Sequence, residues 1–180
     1  MNPNSVALAG EFAVLSQLAL RSIDANMTLG RTKSVDILVS NPKNGKMYQL
    51  EVKTNFRNTR KEPSNSKVHG KILSDWMMSQ KHEDIETSNL FYCFVNISKD
   101  TSLFKFYIVP SKVVARYVKE EHAHWLRVRK QKGKKAKDTG IRVFRIGTQT
   151  EKYPIPTPAA ELYENNWNFS SSGNSKFVRR

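Results

Sequence analysis

Apolar residues recur at helical spacing near the start of the chain. Leu8, Phe12, Leu15, Ala19 and Ile23 follow one another at steps of four, three, four and four within residues 4–26. That spacing predicts a helix, opened by Asn4 or Ser5 and built from good helix formers. The pattern then turns to alternation. Val35, Ile37 and Val39 interleave with Ser34, Asp36 and Leu38, which predicts a strand, with a short partner around Met27–Leu29. Asn41–Gly45 carries the residues of a hairpin turn, and Lys46–Thr54 alternates again. It puts Tyr48, Leu50 and Val52 on one face and Met47, Gln49, Glu51 and Lys53 on the other.

Asn55–Gly70 is polar and interrupted by Pro63, a loop, and Ile72–Lys81 is expected to form a short helix. Leu90–Ile97 is apolar at both parities, as a strand covered on both faces would be. Leu103–Val109 is a further strand, and Pro110 opens a helix to about Glu121. Ile141–Ile146 suits an edge strand, Pro158–Trp167 a small helix, and residues 170–180 a loose polar tail. The order of elements gives an α/β protein, a single domain over residues 1–169 with a mixed sheet.

At 180 residues the chain is long enough for one well-buried core. Its 30 Lys and Arg against 16 Asp and Glu leave a formal charge of +14, and its 10% aromatic content argues against a disordered polycation. Such a surplus repels itself unless an anionic partner relieves it, and nucleic acid is the commonest such partner. Cys93 is the only cysteine, which excludes an internal disulfide and any cysteine-built metal centre and suits a reducing, cytoplasmic setting. No apolar run approaches the length needed to span a bilayer, and no basic stretch precedes the apolar residues of the N-terminus, so neither membrane insertion nor export is expected.

Three acids interrupt otherwise clear patterns. Glu11 falls inside the apolar arc of the first helix, where an ionised carboxylate needs a hydrogen bond, a cationic partner such as Arg31, or a metal. Asp36 stands within VDILV, a poor context for aspartate by strand propensity. Glu51 shares a strand face with Lys53. A hairpin around Pro42–Gly45 lets Asp36 and Glu51 oppose each other, an unfavourable pairing unless a cation separates them. Oxygen ligands of this kind suit magnesium or manganese. A lysine beside the pair is placed to hold an attacking water and to steady charge growing on phosphorus.

Gly10-Glu11 in a first helix, Arg31–Ser34 leading to Asp36-Ile37, and Glu51-Val52-Lys53 together resemble the PD-(D/E)xK nuclease superfamily, in particular its small Holliday-junction-resolvase-like and restriction-endonuclease-like members. Val35 stands where that pattern has proline. The resemblance implies an αβββαβ core with a mixed central sheet flanked by helices. It further implies Asp36, Glu51 and Glu11 as metal ligands, the Val52 carbonyl as another, and Lys53 as the catalytic lysine. The expected activity is magnesium-dependent hydrolysis of DNA, with manganese as a substitute metal, no small-molecule cofactor, and a homodimer where both strands are cut. The alternative is an inactive nucleic-acid-binding protein that keeps the fold.

Basic residues surround these acids in the sequence. Arg31 and Lys33 precede Asp36, and Arg57, Arg60, Lys61, Lys67 and Lys71 follow Lys53, with Glu62 as the single acid among them. Between Arg127 and Lys137 seven of eleven residues are basic: Arg127, Arg129, Lys130, Lys132, Lys134, Lys135 and Lys137. A run without an acid reads as an arm that meets phosphates, and Gly133 suggests flexibility rather than a helix. His122 and His124 lack a third partner in the sequence and carry no metal expectation.

Overall fold

The computed structural model describes residues 2–28, 35–41, 44–57, 63–135, 138–148 and 152–169. These divide into two compact units. One draws on Met1–Thr59, Thr87–Ser111 and Leu162–Arg180, the other on Arg60–Glu86 and Lys112–Glu161. The described elements begin with helix α1 (Pro3–Ala19). Strands follow as β1 (Asp24–Met27), β2 (Ile37–Asn41), β3 (Lys46–Arg57), β4 (Ser64–Ser66), β5 (Gly70–Ser79), β6 (Leu90–Ser98) and β7 (Phe104–Pro110). Helix α2 (Ser111–Gln131), strand β8 (Ile141–Thr148) and the short helix α3 (Ala160–Tyr163) complete them.

In the first unit five strands form a mixed sheet in the order β1-β2-β3-β6-β7, with β3 and β6 parallel and the other neighbours antiparallel. Strand β6 is buried along nearly its whole length at both parities, as its composition requires. Helix α1 starts where the Asn2 side chain accepts the Asn4 N–H at 2.9 Å and Pro3 brings no N–H to satisfy. Its buried side differs from the expected stripe. Gly10, Val14 and Leu18 are buried, while Leu8 and Phe12 are 45% and 55% exposed.

The helix is apolar almost all round, so spacing alone offers two equivalent stripes, and packing chooses between them. The choice falls where the chain has no side chain. A Cβ on Gly10 would lie 1.9 Å from the Thr54 hydroxyl oxygen, so only glycine lets α1 approach β3 this closely. Beneath the helix lie Val39, Leu50, Val52, Cys93 and Val95. The C-terminal segment closes the same core, with Phe169 stacked on Tyr48 at 5.1 Å and Trp167 against Phe106 at 5.6 Å.

The second unit is an antiparallel sheet in the order β4-β5-β8 together with α2. Ile72–Lys81, expected to be helical, forms most of β5. Ile72, Ser74, Trp76 and Met78 are buried while Lys71 and Met77 point outward, and Trp76 pairs with Phe144 across the ladder. Apolar residues at both parities hide this two-residue period, and only pairing with a strand far along the chain reveals it. Helix α2 runs to Gln131, well past Glu121, and carries Arg127, Arg129 and Lys130. Gly133, at φ +63°, ends it: the Gly133 N–H bonds the Lys130 carbonyl and the Lys134 N–H bonds the Arg129 carbonyl. The glycine expected to loosen the basic run is therefore a helix stop. No helix among the described residues is long and apolar enough to cross a membrane.

Candidate active site

Asp36 is fixed by its main chain on both sides. Its N–H bonds the Leu50 carbonyl at 2.8 Å, and its own carbonyl accepts the Thr28 N–H at 2.9 Å. It stands one residue ahead of β2 rather than within it, and its carboxylate accepts the Val52 N–H at 2.7 Å. The acid thereby completes the ladder that the strand begins. The β2–β3 register ends at Ile37 opposite Leu50, and one residue earlier Asp36 bonds the main-chain groups on either side of Glu51, the Leu50 carbonyl and the Val52 N–H.

Glu51 is 3% exposed, and its carboxylate holds the Lys53 ammonium at 2.6 Å, two residues on and on the same strand face. The parallel neighbour of Glu51 is Tyr92, fully buried. Burial raises the pKa of the Tyr92 phenol, and the Glu51 carboxylate beside it raises it further. Tyr92 went unnoticed in the sequence because it sits in an apolar run. Only the β3–β6 register places its hydroxyl by an acid.

Glu11 comes from α1, one residue past the close contact of Gly10 with Thr54. Its pKa is raised, first by burial and then by the charge of Asp36, while Lys53 works in the opposite direction. Glu11 thus senses both a second acid and the lysine. No group of three His, Cys, Asp or Glu side chains among the described residues is gathered tightly enough to hold a metal ion alone. The donor set still suits magnesium, which commonly takes one or two carboxylates and fills its remaining positions with water and substrate phosphate. Asp36 and Glu51 are the carboxylates that could supply such ligands.

Among the basic residues, Arg57 is exposed at the end of β3, and Lys67 and Lys71 are exposed in the second unit. Arg127, Lys130, Lys132, Lys134 and Lys135 are exposed along and beyond the end of α2, with Arg129 half-buried among them. Arg31, Lys33, Arg60, Lys61 and Lys137 lie outside the described residues.

No protein-family model matches the chain, and no curated protein sequence matches it. Among solved structures the chain is similar to a bacterial homing endonuclease, I-Ssp6803I, at 14% sequence identity with a TM-score of 0.46, over 93% of this chain and 90% of that one.

Proposed function

We propose that the protein is a metal-dependent endonuclease that hydrolyses phosphodiester bonds in DNA. The observation that carries this reading is that Asp36 bonds the Leu50 carbonyl and the Val52 N–H, the main-chain groups that flank Glu51, with Lys53 paired to Glu51 and Glu11 close enough to feel Asp36 and Lys53. Two acids neighbour each other where β2 begins, in a chain of charge +14. Bound there, magnesium or manganese would lower the pKa of an attacking water and neutralise charge on the phosphate.

The chain's own groups have separable tasks in that reaction. Asp36 and Glu51 are the acidic ligands, and the Val52 carbonyl, on the same strand between Glu51 and Lys53, is the further ligand that the resemblance implies. Lys53, on the same strand face as Glu51, would orient the water and stabilise the charge that grows on the non-bridging oxygens as the bond to the leaving oxygen breaks. Glu11 holds a proton more readily than an ordinary glutamate, and a cation bound nearby would favour its ionised form. Exposed Arg57, Lys67 and Lys71, with the basic end of α2, supply contacts to phosphates that position DNA without reading its sequence.

One observation favours a second reading. Lys53 pairs with the buried Glu51 at 2.6 Å, a contact that also serves a nucleic-acid-binding protein that has kept the fold and lost the reaction. Calorimetric titration with magnesium and manganese, run beside plasmid nicking, separates the two. Metal uptake and nicking that both vanish in Asp36→Asn support the nuclease. DNA binding by a parent protein that takes up neither metal and leaves plasmid intact overturns it in favour of the binding protein.

A further inference from the structure

Helix α2 is buried only along its first half. Val114, Ala115, Tyr117, Val118, Glu121 and His122 are buried, and from Ala123 to Gln131 no residue is. Trp125 therefore fills no core. It is 38% exposed on a stretch otherwise rich in histidine, arginine and lysine.

Beside Trp125 the second unit has a pocket of about 220 Å³, lined by α2 and by β8 with its preceding residues. His122 stacks on Trp125 with ring centroids 5.5 Å apart and planes at 22°, which stiffens that wall. Ile141 and Val143 of β8 contribute apolar surface, with Ile141 49% exposed. Glu121 and Arg145, paired at 3.0 Å, bring an acceptor and donors into the same pocket. The Arg129 guanidinium lies 5.4 Å from the Trp125 ring centre, and exposed Lys130, Lys132, Lys134 and Lys135 continue from it.

Each feature matches one part of a nucleotide. A flat aromatic wall and an apolar surface take the faces of a base, a fixed acceptor and donors meet its edge, and the cations that lead away follow the phosphates. The charges that line the pocket are paired, Glu121 with Arg145 and Arg142 with Glu83 and Asp138, which favours a neutral ring over a free anion. Bases in a duplex have their faces stacked and their edges paired, so only an unstacked nucleotide can enter. The geometry points to a nucleobase site: the pocket between α2 and β8 takes one unstacked base of a DNA strand whose backbone runs onto the cationic end of α2. This inference rests on the reading of the protein as one that acts on DNA, and it narrows the substrate to DNA with a locally unpaired strand.

The test titrates the whole chain, at low salt, with labelled oligodeoxythymidylate, an abasic strand of the same length and a duplex. The parent is expected to prefer oligodeoxythymidylate to the abasic strand. Trp125→Ala is expected to weaken oligodeoxythymidylate binding roughly tenfold, to leave abasic and duplex binding unchanged, and to be largely rescued by Trp125→Tyr. An unchanged circular dichroism spectrum establishes that the variant folds. Equal affinity of the parent for the thymidylate and abasic strands, or of Trp125→Ala and the parent for thymidylate, overturns the nucleobase site and leaves the DNA reading standing. Failure of the parent to bind any of the three overturns both.

Discussion

The Asp36 carboxylate accepts the main-chain N–H of Val52 at 2.7 Å, so this acid, one residue ahead of β2, extends the contact of β2 with β3 by a side-chain bond. Asp36→Asn keeps an acceptor at that position and is expected to retain stability within about 1 kcal/mol while losing metal uptake. Asp36→Ala strands the Val52 N–H and is expected to cost about 2 kcal/mol as well. Urea denaturation in the absence of metal measures both. An Asn variant that falls as far as the Ala variant would show that charge, not the hydrogen bond, holds the strand end.

Lys53 neutralises a carboxylate that is almost wholly buried. Lys53→Ala should therefore destabilise the metal-free protein by about 3 kcal/mol, because an uncompensated buried charge is costly. Magnesium should then raise the melting temperature of the variant more than that of the parent. Cleavage should still drop by about 10²-fold or more, since metal replaces the charge but not the group that meets water and phosphate. Single-turnover cleavage equal to the parent's at saturating metal and DNA would remove this lysine from the reaction.

Gly10→Ala is expected to destabilise by about 1–3 kcal/mol, because the new methyl meets Thr54 and pushes α1 off β3. Thr54→Ala in the same chain should recover only part of this, as the Thr54 Cβ also lies 2.9 Å from the added carbon. The shift carries Glu11 with it, so nicking activity should fall further than stability at permissive temperature. Full recovery in the double variant would mean that the hydroxyl alone sets the contact.

Lys132, Lys134 and Lys135 lie beyond the end of α2, whose cap uses main-chain atoms. Their joint replacement by glutamine should leave helicity unchanged and reduce the logarithmic salt dependence of DNA binding by about 0.9 for each phosphate contact removed. Filter binding over a range of potassium chloride concentrations reads the slope. An unaltered slope would assign these lysines to solvation.

His69 reports on the second unit. Burial lowers its pKa below the ordinary 6.5, the Arg145 charge lowers it further, and the Glu121 carboxylate, 3.8 Å from the ring nitrogen, offsets only part of the shift. The unfolded chain therefore takes up the proton first on acidification. Stability attached to neutral His69 is present above pH 6.5 and is lost as the pH falls from there toward the lower folded value. His69→Gln should flatten that limb of a urea-midpoint profile taken between about pH 8 and about pH 5. A limb as steep as the parent's would assign it to another group.

Local periodicity carried most of the first unit. The alternation through Val39 and from Tyr48 to Val52 placed β2 and β3 and their antiparallel pairing. That pairing was legible because it depends on neighbours in sequence and on a period of two. The doubly apolar run around Cys93 likewise announced a strand covered on both faces.

Contacts between distant segments decided what those patterns left open. Helix α1 carries two usable apolar stripes, and the approach of Gly10 to Thr54 selected the one that brings Glu11 within reach of Asp36 and Lys53. β5 became a strand because β8 pairs with it, a contact that overrides a segment without a clear period. Tyr92 reached Glu51 through a parallel register, and Trp125 acquired a pocket from residues near position 140. A residue's periodicity records which way its side chain turns. What it meets there depends on the chain's return from far away, and burial and charge are set at that meeting.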